Sequence, residues 1–316
     1  MSDSIKNEII DLCIEENFKK NCIGHFRTKI DWKTGPNEIY LEIIGNRIGI
    51  VHQSEIQDKN RLSFVLKLLQ VVIETRNLDL NCRAIFNMTD GVDPQQHYTR
   101  ICFSAPTYSN HLFMPDPHLF YHIKTITQNV RTDCPFEEKQ DIISFVGSDS
   151  GLVQEDLLNQ RVKFCAKAAG NKFVSAKISN FVHFTDEMLN DLNVNKESIS
   201  RDGISINDQL PAKYILDIDG NGSSWDRILW AMYSNCYFIH LKSENNNNVN
   251  WYRPYAEKYN LIPTYTEEEV LSGSVYYDKN IKLKQQEFAR ALLDHNIQLD
   301  YLAKTLIKYN ELYNQK

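Results

Sequence analysis

YILDIDGNGSSWDRILWAM, residues 214–232, is the stretch from which the fold is read. Tyr214 to Ile218 is an apolar run of strand length, Asp219 to Ser224 is a turn of small and polar residues, and Trp225 to Ser234 is apolar enough for a largely buried helix. Cys236 to Ile239 then supplies a second short apolar run. The segment therefore reads as strand, turn, helix and strand, a βαβ-like unit. The same order precedes it. Asp141 to Val146 is an apolar strand opening into Gly147-Ser148-Asp149-Ser150-Gly151. Leu152 to Ala169 has helical spacing through Leu157, Leu158, Val162, Phe164, Cys165 and Ala168, Gly170-Asn171 is a helix stop, and Lys172 to Ala176 is the next strand.

Toward the N-terminus, Ile39 to Val51 predicts a hairpin around Gly45-Asn46, because apolar residues alternate in both arms. Leu62, Val65, Leu66, Leu69, Val72 and Ile73 recur at helical spacing, and Arg83 to Met88 is a strand that runs into Thr89-Asp90-Gly91. Ile5, Ile9, Ile10, Cys13, Ile14 and Phe18 form one face of an opening helix. Pro94 to Asp133 is rich in His, Tyr, Pro and Asn and predicts long loops with short strands. Ser243 to Asn250 reads as a solvated loop, and Phe288, Leu292, Leu293, Leu299, Leu302, Leu306 and Leu312 describe C-terminal helices. A chain of 316 residues exceeds the usual size of one core, so two domains are expected, meeting near Asp133 to Glu138.

A hydrophobic fraction of 42% is ample for packed cores, and a net charge of -6 argues against a nonspecific nucleic-acid surface. No apolar run approaches the roughly 18 residues of a spanning helix. The opening MSDSIKNEIIDLC is too polar for a secretory signal, so a cytoplasmic protein is expected. Seven cysteines, at 13, 22, 82, 102, 134, 165 and 236, contain no CxxC pair and sit mostly among apolar neighbours, which suits buried reduced thiols.

Five groups of residues are candidates for chemistry. The turn Gly220-Asn221-Gly222-Ser223-Ser224 lies between a strand and a helix, where successive backbone N–H groups favour a phosphate; the same turn also serves simple chain reversal. Asp217 and Asp219 could hold a metal or belong to strand and turn. Gly147 to Gly151 forms a second turn, and Arg161 on the following helix is either a two-pronged cation for a diphosphate or a surface residue. Asp90, at a strand end, is either a proton acceptor for a hydroxyl nucleophile or a turn cap. His97, Tyr98, Arg100, His111, His118 and His122 suggest a polar cleft without metal-ligand spacing.

Asn87-Met88-Thr89-Asp90, Phe145-Val146-Gly147-Ser148, Lys213 to Ile239, Trp251-Tyr252 and Ile262-Pro263 follow in an order that resembles glycosyltransferase family 90, the protein O-glucosyltransferase and lipopolysaccharide-modifying family. The likeness spans residues 83–266. It implies an α/β fold in a GT-B-like arrangement of two Rossmann-like domains with a cleft between them. Residues 1–135 would form the acceptor side, with helix 297–316 a candidate to complete it, and 136–296 the nucleotide-sugar side. It further implies inverting, metal-independent transfer of a hexose or pentose from a UDP-sugar, UDP-glucose or UDP-xylose, to a glycan or lipid-linked glycan. No prosthetic group is required. Asp90 matches the catalytic carboxylate; Gly147, Ser148 and Arg161 match the nucleotide-side turn and its arginine; Gly220, Gly222, Ser223, Ser224 and Trp225 match the diphosphate-cradling turn. Val146 stands where the family has an arginine. Asp226 replaces a phosphate-binding arginine, with Arg227 one place later, about 100° around a helix. Lipopolysaccharide or surface-polysaccharide synthesis at the inner face of a membrane is the implied setting, without a membrane span or nucleic acid and with peripheral association left open. The two departures keep a competing expectation in view, a nucleotide- or glycan-binding module of the same fold.

Overall fold

In the computed structural model the described residues are 3–20, 37–53, 55–89, 99–105, 111–151, 153, 158–192, 194–200, 202–222, 224, 226–243 and 249–315, with the side chains at 20, 118 and 196 left aside. The chain adopts an α/β fold with two units, each a sheet flanked by helices. One unit takes residues 1–120, 248–255 and 294–316, and the other takes 121–247 and 256–293. The chain thus first changes unit at Tyr121, ahead of the segment in which the sequence places the boundary. No described helix is long and apolar enough to cross a membrane.

The first unit holds strands β1 (Glu38–Gly45), β2 (Arg47–Gln53), β3 (Leu80–Asn87), β4 (Arg100–Cys102), β5 (Ser104–Ala105) and β6 (His111–Phe113). Its main sheet runs β2-β1-β3-β4-β6. β1 is antiparallel to both β2 and β3, whereas β3, β4 and β6 are parallel, so this sheet is mixed. Gly45 closes the hairpin at φ 59°, a left-handed conformation that a side chain would resist. The helix Lys59–Thr75 starts where Asp58 accepts the N–H groups of Asn60 and Arg61, and it buries Phe64, Val65, Leu68, Leu69, Val72 and Ile73 on one face. The C-terminal helix His295–Asn314 belongs here too. Tyr309 donates to the carbonyl of Arg83 on β3 at 2.8 Å, and buried Asn17 of the helix Asp3–Lys20 donates to Tyr301 at 3.2 Å. The polar run 243–250 predicts a solvated loop. Val249–Asn250 is instead buried and pairs antiparallel with β5, its backbone groups satisfied by the ladder.

The second unit begins with β7 (Gln140–Ser148), β8 (Val174–Asn180), β9 (Ala212–Asp217) and β10 (Tyr237–Leu241). With Val249–Asn250 counted as β11, the last strand of this sheet is β12 (Thr264–Tyr265). The order is β12-β10-β9-β7-β8 and every pairing is parallel. A parallel sheet is covered by its crossover helices, and Gln160–Ala168, Asp226–Tyr233 and Lys279–Leu292 pack against this one. The first of these helices is shorter than its apolar spacing predicts. Asn159 accepts the N–H of Val162 at 3.0 Å and fixes the helix start there. The six described cysteines are free thiols, all but Cys134 buried.

Candidate functional site

β7 and β9 are neighbours in the second sheet, but from β7 the chain winds outward to β8 and from β9 it winds the other way to β10 and β12. Loops that leave adjacent parallel strands in opposite directions part beyond the strand ends. That switch point is where open α/β sheets bind ligands. Its two walls here are the turn after β7, residues 149–151, and, of the turn after β9, the described residues 218–222 and 224, in the two turns singled out by sequence. Gly151 donates to the Asn221 side chain at 2.9 Å, so the turns touch.

Arg161 ties them together. It is the second residue of its helix and is buried; Nε and Nη2 donate to the carbonyl of Ile218 at 3.0 and 2.8 Å. Nη1 donates to the Ser148 hydroxyl at 3.1 Å and to Ser150 at 2.9 Å. Gly220 is small for a reason, because a Cβ there would lie 2.9 Å from the guanidinium carbon. Burial, then the charge of Arg227, lowers the Arg161 pKa to about 10 against the pull of Asp217 and Asp219, which leaves it charged at neutral pH.

Arg227 is the second residue of the helix Asp226–Tyr233 and turns toward the strand ends. Its Nη1 lies 3.0 Å from Asp217 Oδ1, and Nη2 donates to the carbonyl of Val146 at 2.5 Å. The guanidinium carbon stands 4.8 Å from the centroid of the Phe145 ring. Gly147 makes room for this packing, since a Cβ would sit 3.1 Å from Arg227 Nη2. Asp226, its neighbour, points to His122 at 3.1 Å, where both side chains are about two-fifths exposed. Of these two adjacent residues, the arginine is the one at the switch point.

Sequence reading missed His240. It lies on β10, buried, with Nδ1 at 3.3 Å from Asp217 Oδ2 and Nε2 at 3.7 Å from Asp219 Oδ2. Asp217 also accepts from the Ser224 hydroxyl. Burial opposes its charge, but the His240 hydrogen bond, the charge of Arg227 and the Ser224 hydroxyl outweigh it, and the carboxyl is held well below the usual range. Ligand atoms of Asp217, Asp219 and His240 lie within 4.8 Å of one another and could hold a metal ion. The signal was a histidine inside the apolar run Tyr237–Leu241, a placement that calls for a polar partner.

Two further residues act within the turns. Gly222 offers its carbonyl to the N–H of Gly220 at 3.3 Å, which closes this turn on itself. Asp149 is fully buried, and its carboxylate accepts from the successive backbone N–H groups of Val182 (2.7 Å), His183 (3.2 Å) and Phe184 (2.8 Å). The chain supplies its own anion to that nest. Asp90, Ser223, Trp225, His97 and Tyr98 lie outside the described residues. The strand leading to Asp90 is fixed as far as Thr89: Asn87 Oδ1 accepts the Thr89 N–H at 2.8 Å, and Arg61 donates to the carbonyl of Met88 at 3.0 Å.

The second-unit arrangement concentrates two cations, two carboxylates and a histidine where a parallel sheet presents its strand ends. Arg227 and His240 pair with the carboxylates, while Arg161 bonds to Ile218, Ser148 and Ser150 of the two turns. The sequence matches no protein-family model and no curated protein.

Proposed function

We propose that this protein is an inverting glycosyltransferase of the GT-B class that takes a hexose or pentose from a UDP-sugar and passes it to a hydroxyl of a glycan. The observation that carries this reading is the meeting at the switch point of Arg161, bonded to both small-residue turns, and Arg227, bonded to Val146 and Asp217 near the ends of the strands that lead into them. The likeness to glycosyltransferase family 90 supplies the reaction. Asp90 removes the acceptor proton, the acceptor oxygen attacks the anomeric carbon, and the bond from that carbon to the diphosphate oxygen breaks. Negative charge growing on the departing UDP meets Arg227 and the turn N–H groups. Arg161 holds both turns in register, since its described bonds run to Ile218, Ser148 and Ser150. A lipopolysaccharide or surface-polysaccharide acceptor belongs to the same proposal.

A second reading, a nucleotide- or glycan-binding module without transfer, draws on one feature: Arg227 is already paired with Asp217, and a carboxylate oxygen of Asp219 lies within 4.8 Å of Asp217. One experiment separates the two. Protection against thermal unfolding by a panel of nucleotide sugars is measured, followed by transfer with the best binder for wild type and Asp90→Asn. Protection by UDP-sugars, transfer by wild type and loss of transfer in Asp90→Asn with UDP affinity within a few fold support the enzyme. Protection without transfer leaves the binding module, and no response to any nucleotide sugar removes both. Addition of EDTA and then manganese to the active protein tests metal-independence. Activity lost in chelator and restored by the ion would assign Asp217, Asp219 and His240 to a metal.

A further inference from the structure

Among the segments that follow β7 and β8 lies a cavity of about 320 Å³ lined by Val153, His183, Phe184, Met188, Asp191 and Leu192. That volume is at the small end of ligand sites. Val153 and Met188, two of its lining residues, are 52% and 44% exposed, apolar surface that solvent would otherwise disfavour. The cavity is fixed to the phosphate-facing turn in two ways. Val153 follows Gly151 by two residues, so their Cα atoms are at most about 7.6 Å apart. Asp149, inside that same turn, holds the backbone N–H groups of Val182, His183 and Phe184, of which His183 and Phe184 line the cavity.

A nucleoside diphosphate has this layout: an anionic group, one sugar ring, then a flat base with apolar faces and a polar edge. We propose that the cavity receives the base of the nucleotide, and that Asp191 at its rim selects a base presenting an N–H donor. The inference rests on the donor-site reading above and adds the base subsite to it. Uracil carries an N–H between two carbonyl groups, and a carboxylate accepts that hydrogen. Cytosine carries a bare ring nitrogen at the same position, so a carboxylate aligned with it faces another acceptor, and the neighbouring 4-amino group reaches the carboxylate only if the base shifts along its edge. Val153, Met188 and Leu192 cover the ring faces, and His183 is placed to donate to a base carbonyl.

The test compares binding of UDP, CDP and inorganic pyrophosphate by titration calorimetry to wild type, Val153→Trp and Asp191→Asn. Both positions are exposed, so neither substitution disturbs the core. Wild type is expected to bind UDP at least tenfold more tightly than pyrophosphate and to prefer UDP over CDP. Val153→Trp, which fills the cavity, should lower UDP affinity about tenfold and leave pyrophosphate unchanged. Asp191→Asn should reduce the UDP-over-CDP preference by about tenfold, because an amide can turn its NH₂ group to cytosine. Unaltered UDP affinity in Val153→Trp overturns the base subsite. An unchanged UDP-to-CDP ratio in Asp191→Asn removes the selecting role of that residue. If wild type binds pyrophosphate as tightly as UDP, the base subsite fails while the phosphate site stands; if it binds neither, the donor-site reading itself has failed and the subsite with it.

Discussion

A guanidinium bonded to a buried carboxylate cannot be removed without stranding the carboxylate. Arg227 is 13% exposed at its side chain and Asp217 is 7% exposed, so the pair is sheltered from the screening that makes surface ion pairs weak. Arg227→Ala is therefore expected to cost about 3 kcal/mol of stability, measured by urea denaturation, with the remaining His240 and Ser224 contacts moderating the loss. Adding Asp217→Asn to that variant should recover much of it. A residue that merely decorated a helix surface would change stability by no more than about 0.5 kcal/mol, and such a result would remove Arg227 from the switch point. On the functional proposal the same alanine variant also loses about one to two orders of magnitude in UDP affinity, one charge-assisted contact. Which of Asp226 and Arg227 turns inward was open in the sequence, because adjacent helical residues differ by about 100° and helix phase depends on where the turn ends.

Among the elements, the helix Glu267–Leu271 and the helix Lys279–Leu292 offer two predictions. The shorter one opens with a capping box between Thr266 and Glu269 and ends at Gly273, whose φ is 73°. A Cβ at Gly273 would stand 2.9 Å from the Phe173 ring, so Gly273→Ala meets both left-handed strain and a clash and should cost about 2 kcal/mol or more in a melting experiment. In the longer helix, burial lowers the pKa of Lys282 to about 7, with Lys139 adding to the effect and Cys236 and Asp133 opposing it. Above that pH the folded state holds the amine neutral while the unfolded chain keeps it charged up to 10.5, so the unfolded state binds more protons and stability rises with pH through this window. Between pH 7 and 9 the gain should be roughly 2 kcal/mol, and Lys282→Met should flatten the curve. At this scale the sequence was most legible. The hairpin at Gly45-Asn46, the helix through Val65 and Val72, and the strand, turn and helix of 212–233 all follow from apolar period and turn residues. What escaped depended on distant partners: strands of two or three residues such as Val249–Asn250 have no period of their own, and Asp149 reads as a turn residue until the N–H groups it binds, more than thirty positions away, are in place.

For the molecule as a whole, the return of residues 294–316 to the first unit is the feature that sequence could only suggest, since the apolar stripe of a terminal helix does not name the surface it covers. Ile297, Tyr301, Leu302, Leu306 and Tyr309 are all buried there, and at about 1.5–3 kcal/mol per large apolar side chain their loss approaches the entire stability of a domain. A chain ending at Leu293 should therefore lose amide-exchange protection across β1 and β3 while keeping it in β7, β9 and β10. Protection retained in all five strands would show that the terminal helix is dispensable. The same discontinuity governs how the protein is made. A ribosome releases residues 1–120 early, yet the segment that closes their core emerges only after everything up to residue 293, at a synthesis rate of about 5–20 residues per second. For some ten seconds or more the nascent first unit must wait with its sheet partly uncovered, while the second unit, begun later, already has all its strands, so the cell meets this protein as an open N-terminal half tethered to a finished C-terminal one.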